Sequence, residues 1–379
     1  MSIYLDNAST TRACPEAIEA VTRALAKDYG NPSSGHTPGR EAKKLVDYSR
    51  GIIAGALDAM PGEIFFTAGG TEADNWAVLS SARKMKRRGR HIVSTAVEHD
   101  AVRKSLEVLA DEGFEVELLK PEKDGSIPLD RFERAIRDDT VLVSVMMVCN
   151  ETGNIYPISQ ISKIIKRKKS PALLHTDAVQ GFLKLPFSAP SLGADMISLS
   201  AHKLHGPKGI GALYIRKGLN LPPLIYGGGQ EGGSRSGTEA VPQIFAFGEA
   251  VRVGLAAFAG DTEHMDGLKK LLIEMLKEEI PEAIILGRAE APHIVSVSMP
   301  GYRSEVIVNY MDGKGIYISK GSACKRGRRS HVLEAMNLDT GIIDSSFRVS
   351  FSRENTEADV RDFISALKSA KEELFTELR

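Results

Sequence analysis

The stretch Met196-Ile-Ser-Leu-Ser-Ala-His-Lys-Leu-His-Gly-Pro-Lys-Gly-Ile-Gly211 combines an apolar strand pattern with polar residues directly after it. Ser200 ends the apolar run, and His202 and Lys203 follow before a Gly/Pro-rich loop. Hydroxyl and imidazole groups can bind phosphate oxygens, and an amine at the mouth of an apolar crevice loses its proton more readily, as an imine-forming lysine needs. A lysine at a strand end is also commonly just solvated. The stretch alone leaves both interpretations open.

Two upstream stretches have the same organisation. Phe65-Phe-Thr-Ala-Gly-Gly-Thr-Glu-Ala-Asp74 runs from a strand through two glycines into a helix start, which suits a phosphate, and Thr71 with Asp74 fits an N-cap pattern. Leu173-Leu-His-Thr-Asp-Ala-Val-Gln180 places Asp177 just past an apolar strand, where a carboxylate can hold a positive charge on a heteroaromatic nitrogen. Each stretch also fits an ordinary turn or helix cap. Together they place polar residues at successive strand ends.

Short apolar runs alternate with helix-period segments through the first two thirds of the chain. The predicted strands are residues 64–67, 91–95, 114–119, 141–148, 172–176, 196–200 and 212–215. The predicted helices are residues 15–29, 40–57, 71–86, 129–137 and 158–168. Alternation of strands and helices indicates βαβ crossovers, so we predict an α/β fold with a mainly parallel sheet flanked by helices.

The pattern changes near the glycine-rich segment 227–237. Two helices are predicted next, over residues 241–258 and 264–279, followed by short strands at 294–299, 316–319 and 347–351 and a final amphipathic helix at 357–374. These elements predict a smaller α+β unit. We therefore expect a large domain of residues 15–260 and a small domain made of residues 1–14 and 261–379.

Composition excludes several classes of protein. The 379 residues include 49 Lys+Arg and 49 Asp+Glu, so no global charge attracts nucleic acid or an anionic membrane. No uninterrupted apolar stretch approaches the roughly 18 residues of a membrane span, and the first residues lack a signal-peptide pattern. The three cysteines, Cys14, Cys149 and Cys324, are widely spaced, which argues against disulfides or structural zinc and for the reducing cytoplasm. Histidine spacing predicts no metal site.

The ordered set of motifs resembles the NifS/IscS-type cysteine desulfurases, which are pyridoxal-phosphate enzymes of the class V aminotransferase family and of aminotransferase fold type I. The resemblance runs nearly end to end, and each motif by itself is weak. The matching motifs are Tyr4-Leu-Asp-Asn-Ala-Ser-Thr-Thr11, Tyr29-Gly-Asn-Pro-Ser-Ser-Gly-His36, Glu98-His99, Asn150-Glu-Thr-Gly153, His175-Thr-Asp-Ala-Val-Gln180, Ser200-Ala-His-Lys203, Gly206-Pro-Lys-Gly-Ile-Gly211, Gly227-Gly-Gly-Gln-Glu231, Arg235-Ser-Gly-Thr238, Gly321-Ser-Ala-Cys324 and Arg348-Val-Ser350.

The resemblance implies a role for each matching residue. Lys203 binds pyridoxal 5'-phosphate covalently and removes the substrate Cα proton, His99 stacks on the cofactor ring, and Asp177 pairs with the pyridinium nitrogen. The further cofactor contacts that it implies are Gly70, Thr71, Asn150, Gln180, Ser200, Ala201 and His202. Thr238 is expected to reach the phosphate of the neighbouring subunit, which implies a homodimer with shared active sites. Arg348, with Asn31 as a weaker candidate, is expected to bind the substrate carboxylate.

Cys324 is the expected nucleophile by the same resemblance. It takes the sulfur of L-cysteine as a persulfide, L-alanine leaves, and the sulfur passes to a protein acceptor such as an iron–sulfur scaffold or to thiolation. The segment after it is shorter than in long-loop relatives and carries four cations, Lys325, Arg326, Arg328 and Arg329. These cations fit an ordinary solvated loop. They also fit a role in lowering the pKa of the Cys324 thiol, or a binding surface for an acidic sulfur acceptor.

Other functions remain open at this point. A selenocysteine lyase or another class V aminotransferase-like enzyme would share most of these motifs, but a transaminase needs no thiol at position 324. A non-catalytic scaffold is less favoured, because Lys203, Asp177, His99 and Cys324 are all present. The expected partners are therefore L-cysteine, a second copy of the chain and a sulfur acceptor, with no nucleic acid and no membrane.

Overall fold

A computed structural model describes residues 2–320 and 329–374 of the chain. Its strands are β1 Ile3–Tyr4, β2 Ile64–Thr67, β3 His91–Thr95, β4 Glu115–Leu119, β5 Thr140–Ser144, β6 Leu173–Asp177, β7 Met196–Ser200, β8 Gly211–Ile215, β9 Ile284–Leu286, β10 Ile294–Ser298, β11 Ile316–Tyr317 and β12 Ser346–Ser350. Several begin and end where the apolar runs predicted, because those runs are bounded by turn-forming residues.

The helices lie mostly between these strands. They are α1 Pro15–Ala26, α2 Thr37–Ala56, α3 Gly70–Asn75, α4 Ser81–Met85, α5 Asp100–Asp111, α6 Leu129–Ala135, α7 Ile158–Arg167, α8 Ala189–Leu192, α9 Val241–Glu279, α10 Ser304–Gly313, α11 His331–Ala335, α12 Thr340–Asp344 and α13 Glu357–Glu373. A π-helical segment, Trp76–Ser80, joins α3 to α4. Short 3₁₀ turns cover Pro61–Glu63, Ala201–Lys203 and Glu231–Gly233.

The central sheet has seven strands in the order β2-β8-β7-β6-β5-β3-β4. The neighbours from β7 to β4 pair in parallel, and β8 runs opposite to both β7 and β2. The sheet is therefore mainly parallel, as predicted. Strands β3, β5, β6, β7 and β8 are buried along their whole length, which is typical of a sheet covered by helices on both faces. The carboxyl ends of β6 and β7 thus open into the same crevice.

A second core lies around the antiparallel sheet β12-β10-β9 and the parallel pair β1-β11. It joins the N-terminal Leu5 to the second half of α9, to α10 and to α13, so residues from both ends of the chain share one apolar cluster. The exact boundaries, 15–260 and 261–379, stay a prediction.

Helix α9 corrects one expectation. Two helices were predicted between residues 241 and 279, but the chain forms a single helix of 39 residues. Gly260 does not interrupt it, because a glycine costs a helix interior only about 1 kcal/mol and packing against α1, α2 and α13 outweighs that. Among the described residues, α9 is also the one helix long and apolar enough on average to cross a membrane, a property that the core helix of a soluble protein shares.

Candidate active site

A cavity of about 420 Å³ opens at the carboxyl ends of β6 and β7, within the range of small-molecule sites. Ten of the residues that the sequence singled out line it together: Gly70, Thr71, His99, Asn150, Asp177, Gln180, Ser200, His202, Lys203 and Arg348. They come from six separate stretches of sequence, and the sheet topology brings them to one place. The candidate site is therefore a single crevice.

Lys203 lies on the 3₁₀ turn that directly follows β7. Its Nζ donates hydrogen bonds to the carbonyl oxygens of Ala8, at 2.8 Å, and Ser9, at 2.7 Å. These carbonyls belong to the segment after β1, which also lines the cavity. The N-terminal segment therefore holds the lysine amine in the crevice.

Asp177 is the last residue of β6 and is 7% exposed. Its Oδ1 accepts a hydrogen bond from the Val179 N–H at 2.9 Å. Burial raises the pKa of Asp177, while the nearby His99 and Lys203 and the Val179 N–H favour its charged form. A buried carboxylate in this place suits a cationic ring nitrogen, which would compensate the cost of its burial.

Gln180 lies one turn beyond Asp177 and bridges two parts of the chain. Its Nε2 donates to Ala8 O at 2.9 Å, and its Oε1 lies 3.2 Å from His293 Nε2. His293 is fully buried, and burial, followed by nearby cations, lowers its pKa well below the usual range. A neutral His293 donating from Nε2 therefore fixes the orientation of the Gln180 amide.

His99 forms the N-terminal cap of α5, where its Nδ1 accepts from the Ala101 N–H at 3.2 Å. This hydrogen bond assigns the acceptor role to Nδ1 and leaves Nε2 for the cavity. Directly before it, the buried Glu98 accepts from the Thr95 hydroxyl at 2.6 Å and from the Met146 N–H. Burial nonetheless raises the pKa of Glu98 to about 8.

The predicted phosphate contacts lie around the start of α3. The N-cap of α3 is Gly69, with no side-chain cap, which corrects the expectation that Thr71 and Asp74 form the cap. A Cβ on Gly70 would lie 2.9 Å from Val179 Cγ2, so the close packing there requires glycine. Thr71 and Ser200 also line an adjoining, more open cavity of about 740 Å³. Hydroxyls and helix N–H groups therefore face the same space.

His202 and Ala201 complete this side of the crevice. His202 Nδ1 lies 3.2 Å from Thr10 Oγ1, and burial, followed by Lys203 and Lys208, lowers the pKa of His202 to about 4. A neutral imidazole can donate one N–H to a phosphate. Ala201 is fully buried at the start of the 3₁₀ turn and does not line the cavity.

Arg348 is 3% exposed and projects from β12 of the small sheet into the crevice. Its Nη2 donates to Asp6 Oδ1 at 2.8 Å and to Ser9 Oγ at 2.7 Å, and its Nη1 donates to Asn150 O at 2.6 Å. Its buried Nε has no hydrogen-bond partner among the described residues. The contacts of the two Nη atoms therefore fix the guanidinium group where Arg348 lines the candidate site.

Besides Ala201, two predicted site residues among the described residues do not line this cavity. Thr238 and Asn31 are exposed and do not line it. Asn31 instead accepts from the Ser33 N–H at 2.9 Å. Cys324 lies outside the described residues, as do Lys325, Arg326 and Arg328. Roles for these residues stay predictions.

The cavity also contains residues that motif reading did not assign to it: Ala8, Ser9, Asp74, Asp100, Met146, Val148, Glu151, Val179, Arg329 and His331. His331 Nε2 lies 3.0 Å from Glu98 O, and the Ser330 hydroxyl donates to the buried Glu151. Burial raises the pKa of Glu151. Arg329 pairs bidentately with Asp344 at 2.6 and 2.8 Å. The Glu98-His99 and Asn150-Glu151 motifs were the available signals for these contacts.

Comparison with known proteins assigns the fold and the motifs to one family. A family model described as aminotransferase class-V matches residues 3–363. The cysteine desulfurase IscS of Methanosarcina thermophila is 39% identical over 363 residues, which cover 95% of this chain and 89% of that protein.

Solved structures agree with this assignment. A NifS-like protein superposes with a TM-score of 0.93 at 38% identity, covering 99% of this chain and 100% of that one. A structure described as SspA in complex with cysteine has a TM-score of 0.79 at 31% identity, covering 94% of this chain and 100% of that one. This chain therefore belongs to the class-V aminotransferase family.

Proposed function

We propose that this chain is a pyridoxal-phosphate-dependent cysteine desulfurase that converts L-cysteine to L-alanine and passes the sulfur on through Cys324. The observation that carries the proposal is the single crevice in which the Lys203 amine, the Asp177 carboxyl group and the Arg348 guanidinium group meet. Relatives named cysteine desulfurase and a cysteine-bound structural neighbour support the substrate.

The residues present fit pyridoxal 5'-phosphate, the cofactor of this family. Lys203 would hold its aldehyde carbon, Asp177 its ring nitrogen, His99 its ring face, and Thr71 and Ser200 its phosphate. Asn150 and Gln180 would lie beside the ring hydroxyl. The crevice is large enough for this cofactor, and the buried Asp177 carboxyl group lines it. When bound, the cofactor supplies an electron sink for a carbanion at the substrate Cα.

Lys203 is the group that moves the Cα proton in this proposal. The Ala8 and Ser9 carbonyls, which belong to the N-terminal segment, accept hydrogen bonds from its Nζ and orient it. His99 Nε2 is the second group available for proton transfer, because the cap hydrogen bond occupies Nδ1. Lys203 Nζ and His99 Nε2 are therefore two candidate groups for proton transfer in one crevice.

Arg348 holds the substrate carboxylate. A guanidinium fork matches a carboxylate bidentately, and Arg348 lines the cavity beside Ser9 and Asn150. Asp6, Ser9 and the Asn150 carbonyl fix the plane of the guanidinium group. Asn31 would assist only if a second copy of the chain or a ligand brings it to the site.

Cys324 accepts the sulfur. In this transfer the Cβ–S bond of L-cysteine breaks, a sulfur–sulfur bond forms at Cys324, and the thiol proton is balanced by the new C–H bond of L-alanine. The described residues that precede and follow the segment are close to the site, since Ser319 pairs with the Arg348 backbone and Arg329 lines the cavity. Five residues of chain reach at most about 17 Å, so both connections allow Cys324 access.

The proposal includes a homodimer, a protein acceptor of the iron–sulfur scaffold type and a cytoplasmic location. The open cavity beside Thr71 is where Thr238 from a second copy would contact the phosphate. Cys14 and Cys149 are both buried free thiols, in keeping with a reducing compartment. They also leave Cys324 as the cysteine for sulfur transfer.

The test supplies purified protein with pyridoxal phosphate and L-cysteine, adds excess thiol reductant, and measures alanine and sulfide. Equal amounts of both products are expected, together with a visible absorbance of the bound cofactor that Lys203→Ala lacks. Turnover of L-selenocysteine but not L-cysteine would replace the proposal with a selenocysteine lyase. Amino transfer to a keto acid would indicate a transaminase, and no cofactor uptake would indicate a scaffold.

A further inference from the structure

A second aspartate, Asp74 of α3, lies in the same crevice as Asp177. Asp74 is 1% exposed, and its Oδ1 has no hydrogen-bond partner among the described residues. An ionised carboxylate with an unsatisfied oxygen in such a place would cost several kcal/mol. Its surroundings must therefore either supply a cation or favour its neutral form.

The nearest basic side chain does not supply a cation. His175 Nε2 lies 3.6 Å from Asp74 Oδ1, beyond hydrogen-bond distance. Both ring nitrogens are already engaged, Nδ1 with Ser144 Oγ at 2.8 Å and Nε2 with Ser198 Oγ at 3.0 Å. His175 is fully buried, and burial lowers its pKa to about 3. It is a neutral imidazole in a chain of serine hydroxyls.

The elements packed against α3 do not supply one either. On α5, Asp100 and Arg103 pair with each other at 2.7 Å, and the remaining charged side chains of that helix are Lys104, Glu107 and Asp111, of which the first two also pair. Strand β7 contributes the Ser198 hydroxyl. Strands β2 and β8 and the π-helical segment carry no Lys, Arg, Asp, Glu or His, and the one phenol, Tyr214, interacts with Glu63.

The charged groups that do face Asp74 are carboxyls. Burial raises the pKa of Asp74 well above its usual range, and the neighbouring carboxyl groups of Asp177 and Glu98 raise it further, opposed by the Ser198 hydroxyl. Asp177 differs because His99 and Lys203 favour its charged form. Of the two aspartates, the proton therefore belongs on Asp74.

We propose that Asp74 is a protonated, neutral carboxylic acid in the folded protein and acts as a positioning residue that leaves Asp177 as the ionised aspartate of the pair. The role toward the cofactor rests on the function proposed above, through Asp177. A protonated Asp74 can donate a hydrogen bond in the crevice, where an ionised one could only accept. Its charge would otherwise compete with Asp177 for a cationic ring.

The first test is infrared spectroscopy of the full-length chain, with its cofactor and after cofactor removal. Subtracting the spectrum of Asp74→Asn from that of the wild type at neutral pH should reveal the carbonyl band of a protonated carboxylic acid. The matched control is Asp195→Asn, which removes an aspartate that pairs with Arg216 at 2.7 Å. Asp195 directly precedes β7 and therefore lies at the end of that strand opposite to the crevice. That difference should contain carboxylate bands only, and the same result for Asp74 would overturn the proposal.

The second test is the pH dependence of urea unfolding. Above about pH 4 an unfolded aspartate is ionised, whereas the folded chain keeps the Asp74 proton, so the folded state binds the extra proton. Rising pH should therefore destabilise the wild type relative to Asp74→Asn, by up to about tenfold in the folding equilibrium per pH unit. A constant difference would contradict the proposal. So would failure of Asp74→Asn to fold, because asparagine is a neutral isostere.

The two proposals fail separately. Infrared and unfolding data on the cofactor-free chain report the proton on Asp74 whatever the reaction is. The cofactor role is read from Asp177→Asn, which should weaken cofactor binding and alter its absorbance. A protonated Asp74 with an unaltered Asp177→Asn spectrum would refute the role toward Asp177 and the assignment of Asp177, while leaving the desulfurase activity to its own assay.

Discussion

The two sides of the crevice are built in different ways. One side, the carboxyl floor, consists of the buried residues Asp74, Glu98 and Asp177, of which Asp74 and Asp177 line the cavity. Asp177 ends β6, and Asp74 and Glu98 come after β2 and β3 of the same central sheet. The other, the arginine mouth, consists of Asp6, Ser9 and Arg348, which come from opposite ends of the chain, 342 residues apart for the ion pair. The floor is set by the order and register of the strands in the central sheet. The mouth exists only when the two cores are assembled.

Their electrostatics differ as well. The floor carries three buried carboxyl groups whose pKa values burial raises, and His99 and Lys203 favour the charged form of one of them, Asp177. The mouth is a buried cation that already has an anionic partner at 2.8 Å. In the proposed function, the two sides have different roles. The floor would control the charge of the cofactor ring nitrogen, and the mouth would hold the substrate carboxylate.

Lys203 interacts with both parts, through the Ser9 carbonyl and through the charge of Asp177, so its loss should have the largest effect. In the proposed function, Lys203→Ala removes the group that would bind the cofactor and move the Cα proton, and proton transfer by a positioned side chain contributes on the order of 10²- to 10⁴-fold. We expect no measurable alanine formation and no visible cofactor absorbance. Lys217→Ala, an exposed lysine after β8, is the matched control and should keep both. Full activity of Lys203→Ala would refute the assignment.

Asp177→Asn tests the floor. The neutral amide cannot stabilise a cationic ring nitrogen, so kcat/KM for L-cysteine should fall on the order of 100-fold or more, with weaker cofactor binding measured by absorbance titration. Asp195→Asn is the control. Like Asp177, Asp195 accepts a hydrogen bond from a backbone N–H, that of Leu174 at 2.8 Å, but it lies at the amino end of β7, away from the crevice. Equal losses of kcat/KM in both variants would mean that activity depends on aspartate charge in the sheet generally and not on the floor.

Arg348→Lys tests the mouth. Lysine keeps the charge but loses the fork, so KM for L-cysteine should rise about 10- to 100-fold, the range of a charge-assisted hydrogen bond, with a smaller change in kcat. Arg353→Lys, whose guanidinium lies 3.5 Å from Asp261 outside the cavity, is the control. A fall in kcat with unaltered KM would place Arg348 in the chemistry instead of substrate binding.

Glu98→Gln gives the smallest expected effect, on stability. The folded pKa of Glu98 is about 8 and its ordinary value is about 4.3, so the folded state holds a proton that the unfolded state has released. Wild-type stability is therefore lost as the pH rises toward 8, by up to about 1.4 kcal/mol per pH unit relative to the variant. Urea unfolding of the cofactor-free chain measures this. Glu63→Gln, another buried glutamate, controls for carboxyl loss, and parallel pH profiles of Glu98→Gln and wild type would contradict the expectation.

The sequence predicted the floor better than the mouth. Strands β2, β3 and β7 have the bounds that their apolar runs predicted, and strand ends locate Asp177 and Lys203. The pairing of Asp6 with Arg348 has no local signal, because it depends on how β1 and β12 pack in the second core. Strand β9 and helix α5 were not among the predicted elements, and α9 was predicted as two helices.

Asp74 shows why a local pattern can mislead. Its spacing from Thr71 fits a cap, yet the helix begins at Gly70, which places the side chain inside the crevice. Only the three-dimensional packing shows that its Oδ1 has no partner among the described residues. The residues after Gly321 illustrate the opposite case, since their motif is clear in the sequence while Cys324 lies outside the described structure.

A single-turnover experiment tests the central claim most directly. The holoenzyme is mixed with less than one equivalent of L-cysteine, and both free alanine and the mass of the intact chain are measured. We predict one alanine for each chain that gains one sulfur atom, with the added sulfur on Cys324 and neither product in Lys203→Ala. Alanine without added sulfur on Cys324, or no alanine from a fully cofactor-loaded chain, would contradict the account.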